Sequence, residues 1–347
     1  MKPLRTNTSI FVLALMVSLV LLACENSDNM GVPHSSEAPH PSRQATVETT
    51  PPLVEIPTPG TPAVPESMQN DMVQTILREL TKQEYGGRNT GSEGILQAAR
   101  YLAGMFETIG LMPWESDLYI QTYHHSDPGI RYFPGSSQSR GLGDLSSAYG
   151  YNIAGVIPGK DRTRAIIVSA HYDAIGGGAG AFDNASGVAA MMRIAVNVFH
   201  AEEQPETDLV FCAFDGEELM FLGSQAFVLD VAERYHEMYN INIDSIGLRD
   251  VPLYLDISAS DESSKALRED FAETLIRMAI PYMDTPIPGQ SDEASFIRAG
   301  IPAILIGQFN ADAMAIMHTD RDVLAIIDIP FVETTADAVT AFISNRK

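Results

Sequence analysis

From Tyr151 onward the chain repeats one pattern: a short apolar run, a loop, then an amphipathic segment. Asn152–Ile157, Ala165–Ser169, Leu209–Phe214, Tyr239–Ile243, Leu253–Ile257 and Ala303–Ile306 have the length and content of buried strands. Between and after them Ser186–Phe199, Ser224–Arg234, Ser264–Ile280, Glu293–Ala299 and Val332–Ser344 have helical periodicity. This alternation predicts an α/β fold of three layers, α/β/α, around a central, mostly parallel mixed twisted sheet. Ligands bind such sheets beyond the carboxyl ends of the strands. His171, Glu217, Glu218 and Asp244 each stand there relative to their own strand, so the pattern predicts that they converge.

The residues at those ends have metal chemistry. His171, Asp183, Glu218, Asp244 and His318 form a mixed nitrogen and oxygen donor set that suits zinc better than calcium. One tetrahedral ion needs three or four protein donors, so five imply a pair sharing one carboxylate. Asp183 opens a helix, where an aspartate is by default an N-cap. The preceding Gly176, Gly177, Gly178 and Gly180 allow close backbone approach and tilt the reading toward the bridging ligand. Asp173 is close enough in sequence to hold the second ring nitrogen of His171. Glu217 and Glu218 follow a buried strand directly and repel each other unless a cation binds one and a proton rides on the other, so Glu217 reads as the general base. His124 and His125, adjacent in a polar stretch, read as solvent-exposed rather than as ligands.

These segments resemble the zinc aminopeptidases of peptidase family M28 over nearly all of Met68 to Lys347. The matching pieces include Gly87-Arg88, Ile157-Pro158-Gly159-Lys160, Ala170-His171-Tyr172-Asp173 and Asp183-Asn184-Ala185-Ser186-Gly187. Asp215-Gly216-Glu217-Glu218, Asn242-Ile243-Asp244, Ser291-Asp292 and His318-Thr319 follow in the same order. The resemblance implies the zinc-dependent exopeptidase fold and two zinc ions. By it, His171 and Asp244 hold one ion, Glu218 and His318 the other, and Asp183 bridges them. It further implies a peptide or protein substrate with a free N-terminus, with Glu217 taking the proton of the attacking water. Three positions depart from the pattern: Met317 stands where a tyrosine is common, Glu293 where a histidine is frequent, and Met220-Phe221 where glycine and an aliphatic residue are usual. The first leaves the oxyanion to the zinc ions or to a tyrosine of Ser116–Tyr151. A glutaminyl cyclase shares the fold with a single zinc, and a non-catalytic surface lipoprotein is the third reading; the Asp183 motif, Asp244 and Glu217 favour the peptidase.

The beginning of the chain predicts location. Lys2 and Arg5 precede an apolar run, Ile10 to Ala23, too short to span a bilayer, which needs roughly 20 residues. It ends Leu21-Leu22-Ala23-Cys24, which resembles a bacterial lipobox, so residues 1–23 are read as a signal peptide and Cys24 as the lipidated residue. Residues 24–67, rich in Pro, Ser and Thr, form a disordered tether, and 68–347 the catalytic domain. The expected place is the cell envelope, membrane-anchored through Cys24 and facing the periplasm or exterior. Cys212, inside a strand, is a small core residue with no disulfide partner. A formal net charge of −23 argues against nucleic acid as a partner.

Overall fold

Alternating burial shows how the strands become the middle layer. Along β5 (Thr207–Phe214), Leu209, Phe211 and Ala213 join one apolar cluster while Val210, Cys212 and Phe214 join another. Successive strand side chains point to opposite faces, so a strand apolar from Leu209 to Phe214 must be covered on both. The structure, a computed structural model, describes residues 64–131, 149–256, 258, 261–287 and 289–346. The signal peptide, Cys24 and almost all of the tether lie outside the described residues, as does part of Ser116–Tyr151.

One sheet of nine strands runs β1-β3-β5-β4-β6-β9-β7-β8, with β2 paired to β3. Besides β5 these are β1 (Met112–Pro113), β2 (Ile120–His124), β3 (Tyr149–Ile157), β4 (Asp161–His171), β6 (Glu237–Asp244), β7 (Leu253–Asp256), β8 (Tyr282–Thr285) and β9 (Ala303–Gly307). The central strands β5, β4, β6 and β9 are parallel. Antiparallel pairs, β3 with β5 and β7 with β9, flank them, so the sheet is mixed as expected and parallel where the site lies.

The helices are α1 (Glu66–Asn70), α2 (Met72–Leu80), α3 (Glu93–Ile109), α4 (Ser186–Phe199), α5 (Leu222–Arg234), α6 (Glu262–Arg277), α7 (Glu293–Arg298), α8 (Ala311–Met314) and α9 (Ile329–Ser344). Residues of α2, α3, α4, α6 and α9 fill one cluster, and Phe227, Val231 and Phe296 of α5 and α7 fill the other. The α3 start has the capping expected of its sequence: Ser92 accepts from the Ile95 N–H at 3.2 Å, and Gly110 closes the helix in the left-handed region.

Several boundaries differ from the sequence reading. The helix predicted over Ser264–Ile280 runs Glu262–Arg277, and the strand predicted over Ala165–Ser169 extends over Asp161–His171. Strands β1 and β8 are short and flank the sheet, and their apolar content is too thin to signal a strand.

Candidate functional site

Three neighbouring strands deliver the donors. His171 is the last residue of β4 and Asp244 the last of β6; Glu217 and Glu218 sit in the turn just beyond β5. β4 lies between β5 and β6, so these side chains meet at one edge. Asp183 and His318 arrive on loops.

Asp183 does not cap a helix. Helix α4 starts at Ser186, directly after Ala185, and Asn184 rather than Asp183 does the local bonding. Asn184 Oδ1 accepts from the Gly187 and Ser245 N–H groups at 2.9 and 3.0 Å, and its Nδ2 donates to the Ile243 carbonyl at 2.9 Å. This side chain staples the Asp183 loop to the end of β6. Asp322 holds the other side, accepting the Phe182 and Asp183 N–H groups at 2.6 and 3.0 Å. The glycine run serves the His318 loop: a Cβ at Gly176 would strike the His318 backbone, and one at Gly178 the Thr319 carbonyl. His318 itself has φ 59°.

The geometry places Asp183 between the two histidines. His171 Nε2 lies 3.2 Å from Asp183 Oδ1 and 3.3 Å from Asp244 Oδ1. His318 Nε2 lies 3.0 Å from Asp183 Oδ2 and 2.9 Å from Glu218 Oε2. Two donor groups result, His171–Glu217–Asp244 and Asp183–Glu218–His318, the atoms of each within 4.8 Å of one another. All five expected ligands and Glu217 are therefore brought together. His124 and His125, read as exposed, are half-buried, pack ring to ring at 4.2 Å and belong to neither donor group.

Asp173 ties the cluster to its frame. His171 Nδ1 is 3.1 Å from the Asp173 carbonyl and 3.4 Å from its carboxylate, which holds the Nδ1 proton and turns Nε2 toward the carboxylates. Each Asp173 oxygen also accepts a backbone N–H, Glu217 to Oδ1 and Glu218 to Oδ2, both at 3.2 Å. Thr90 donates to Asp215 at 2.7 Å, fixing the strand end before those glutamates. Fully buried Arg88 donates to the carbonyls of Tyr172, Leu80, Ala179 and Gly180.

The electrostatics point to missing positive charge. Burial pushes Glu217 well above the usual carboxylate range; His171 opposes this while Glu218 and Asp244 add to it. Burial and then Asp183 push Glu218 up to about 7. Burial also drives Asp292 to about 7 and Glu293 to about 8. Hydrogen bonds to Asp183 and Glu218 raise His318 to about 10. Burial works against charge on His171, yet Asp244 and Glu217 hold it well above its ordinary value. Each imidazolium thus stands where a cation would. Glu218 Oε1 is buried with no hydrogen-bond partner among the described residues, which a metal ion would supply. The donor types, their grouping and this orphaned oxygen fit zinc.

Beside the cluster opens a cavity of about 270 Å³ whose lining includes Glu217, Met220, Phe221, Ile287, Leu305, Phe309, Met314 and Met317. No tyrosine lines it among the described residues. Tyr119 and Tyr123, candidates for the oxyanion, instead donate to the carbonyls of Leu111 and Asp215 at 2.6 and 2.7 Å.

Known proteins share the fold and part of the sequence. The chain is 32% identical over 160 residues to leupeptin-inactivating enzyme 1 of Streptomyces exfoliatus, covering 45% of this chain and 35% of that protein, so the match spans about a third of the relative's length. Among solved structures, the Bacillus subtilis zinc aminopeptidase BSAP superposes with a TM-score of 0.62 at 16% identity, covering 80% of this chain and 96% of that one. A Porphyromonas gingivalis glutaminyl cyclase superposes with a TM-score of 0.64 at 19% identity, covering 79% and 97%. These two likenesses share the fold. The sequence profile of peptidase family M28 matches residues 152–343, more than half of the chain and a span within which the donors lie, and the chain belongs to that family.

Proposed function

We propose that this chain is a two-zinc aminopeptidase that removes apolar N-terminal residues from peptides. His171 and Asp244 would hold one ion, Glu218 and His318 the other, and Asp183 would bridge them. When bound, such a pair supplies Lewis acidity that polarises the scissile carbonyl and lets water attack near neutral pH. Glu217 takes the proton of the attacking water on its carboxylate and returns it to the leaving amine. Asp173 keeps the Glu217 and Glu218 backbone and the His171 ring in register. A free amino end meets the carboxylates at the cavity floor, and a blocked one forfeits that charge pairing. The walls are apolar, and a cavity of roughly 150 Å³ already admits benzene, so about 270 Å³ leaves room for a leucine-sized side chain beside the amino end.

The observation that carries the reading is the Asp183 carboxylate, one oxygen toward each histidine. A single ion held by Glu218, His318 and one Asp183 oxygen would leave the carboxylates around His171 without a cation. The test is release of leucine from an unblocked leucyl peptide and from its N-acetylated form by zinc-loaded protein, alongside Glu217→Gln. The parent should cleave only the unblocked peptide, and Glu217→Gln should keep its zinc while losing roughly 10²–10⁴-fold in kcat. Equal cleavage of both peptides, or an unimpaired Glu217→Gln, refutes the assignment; ring closure of an N-terminal glutamine peptide in place of hydrolysis supports the cyclase. The lipobox-like Leu21–Cys24 and the proline-rich segment after it support a further element of the proposal. Cys24 would be lipidated, and residues 24–67 would hold the enzyme away from a membrane surface, facing the periplasm or the exterior.

A further inference from the structure

Two walls of the cavity are loops from distant parts of the chain. One is Met220-Phe221, which leaves the turn carrying Glu217 and Glu218 with both residues at left-handed φ, 74° and 65°. The other is Gly289-Gln290-Ser291; Gly289 has φ 122° and open space where a Cβ would stand, so packing does not fix it. Helix α7 follows the second wall and is itself well anchored. Phe296 is fully buried with its ring centroid 6.2 Å from that of Phe214, and Ser224 Oγ donates to Ser295 Oγ at 2.9 Å. From this base α7 reaches both loops. Glu293 accepts the Ser291 N–H at 3.1 Å, and Arg298 Nη2 donates to Gln290 Oε1 at 2.7 Å. The Arg298 guanidinium carbon also lies 5.5 Å from the Phe221 ring centroid. Asn242, two residues before Asp244, adds a tie to Ser291 Oγ at 2.9 Å.

We propose that Arg298 is a specificity-determining positioning residue that links the two loop walls and so sets the width of the pocket for the substrate's N-terminal side chain. The inference rests on the aminopeptidase reading. A planar guanidinium can lie over a ring and hydrogen-bond in its plane at once, which a lysine ammonium cannot do. An exposed polar link is weak alone; here two links start from a helix fixed in the core, and they join the wall held at Ser291 by Glu293 and Asn242 to the wall held at Met220 by Gln225. Arg298 does not line the cavity, so it acts through Gln290 and Phe221 rather than by touching substrate.

The test compares zinc-loaded parent, Arg298→Ala, Arg298→Lys and Gln290→Ala on leucyl and glycyl peptides. The readout is the ratio of kcat/KM for leucyl over glycyl substrate, which cancels any loss of folded or zinc-loaded enzyme. Arg298→Ala should lower that ratio about fivefold, mainly by raising KM for the leucyl peptide. Arg298→Lys should recover part of it, and Arg298→Ala combined with Gln290→Ala should fall no further than Arg298→Ala. A ratio within about twofold of the parent's in Arg298→Ala overturns the proposal. Calorimetric titration with free L-leucine separates it from the reading on which it rests. Should neither peptide be hydrolysed, the aminopeptidase reading fails while leucine binding still decides: weakening of about fivefold in Arg298→Ala supports the link. Undiminished affinity, or no leucine binding by the parent, overturns it.

Discussion

Replacing Asp173 with alanine would remove a side chain that holds the backbone N–H groups of both glutamates in the catalytic turn. It is 1% exposed, and its two oxygens accept the Glu217 and Glu218 N–H groups at 3.2 Å each. The Thr90 hydroxyl at 3.4 Å and His171 Nδ1 at 3.4 Å are longer contacts that add little by themselves. Hydrogen bonds to a charged acceptor contribute about 1.5–3 kcal/mol each. At this length the lower figure applies, so the two amides give about 3 kcal/mol. A domain of this size loses roughly 2–4 °C of Tm per kcal/mol, hence about 6–12 °C. Stability of about 5–15 kcal/mol leaves Asp173→Ala able to fold. His171 also loses the group that orients its ring, which should weaken zinc binding about 10–100-fold. Urea unfolding of the zinc-free protein and chelator competition with zinc measure the two effects. Asp173→Asn retains one acceptor oxygen but turns an NH₂ toward the second amide, so it should recover at most half of the stability. An Asp173→Ala protein with the parent's urea midpoint and zinc affinity would refute the reasoning.

The buried carboxylates give the zinc-free protein a definite pH dependence. Glu218, Asp292 and Glu293 are raised to about 7, 7 and 8. A raised folded pKa contributes stability that is present below the unfolded value, near 4, and is lost as pH rises through the folded one. His318, raised to about 10, acts in the same sense at higher pH, while Asp183, held low by the two histidines, opposes the trend only in acid. Thermal melts of the chelated protein should therefore fall between pH 5 and 8, and the gain on adding zinc should grow over that range; a zinc effect independent of pH contradicts the charge argument. For the anchor, Cys24→Ser should abolish incorporation of labelled fatty acid and release the protein from membranes, and labelling that persists in that variant would place the lipid elsewhere.

The chemistry was more legible in the sequence than its support. His171, Glu218 and Asp244 follow apolar runs too strong to be anything but strands, and parallel pairing puts such ends on one edge. The signals that failed are those where a side chain works on backbone far away in sequence. Asn184 looks like a helix-start residue, yet its amide binds Ile243 and Ser245, roughly 60 residues later. Asp322, near His318 in sequence, reads as one more loop aspartate until its carboxylate is seen holding the Phe182 and Asp183 amides. Arg88 carries only the weak signal of following Gly87, because its partners are four carbonyls, and carbonyls leave no trace in a sequence. The glycines before Asp183 were rightly read as allowing close approach; what approaches is the His318 loop. Short flanking strands such as β8 were missed because pairing with β7, not composition, creates them.

Zinc titration of the metal-free protein, followed by release of leucine from an unblocked peptide, tests the central claim most directly. Two donor groups joined by Asp183 predict that activity reaches its plateau at two equivalents of zinc per chain. A plateau at one equivalent, or hydrolysis that needs no metal, would contradict it.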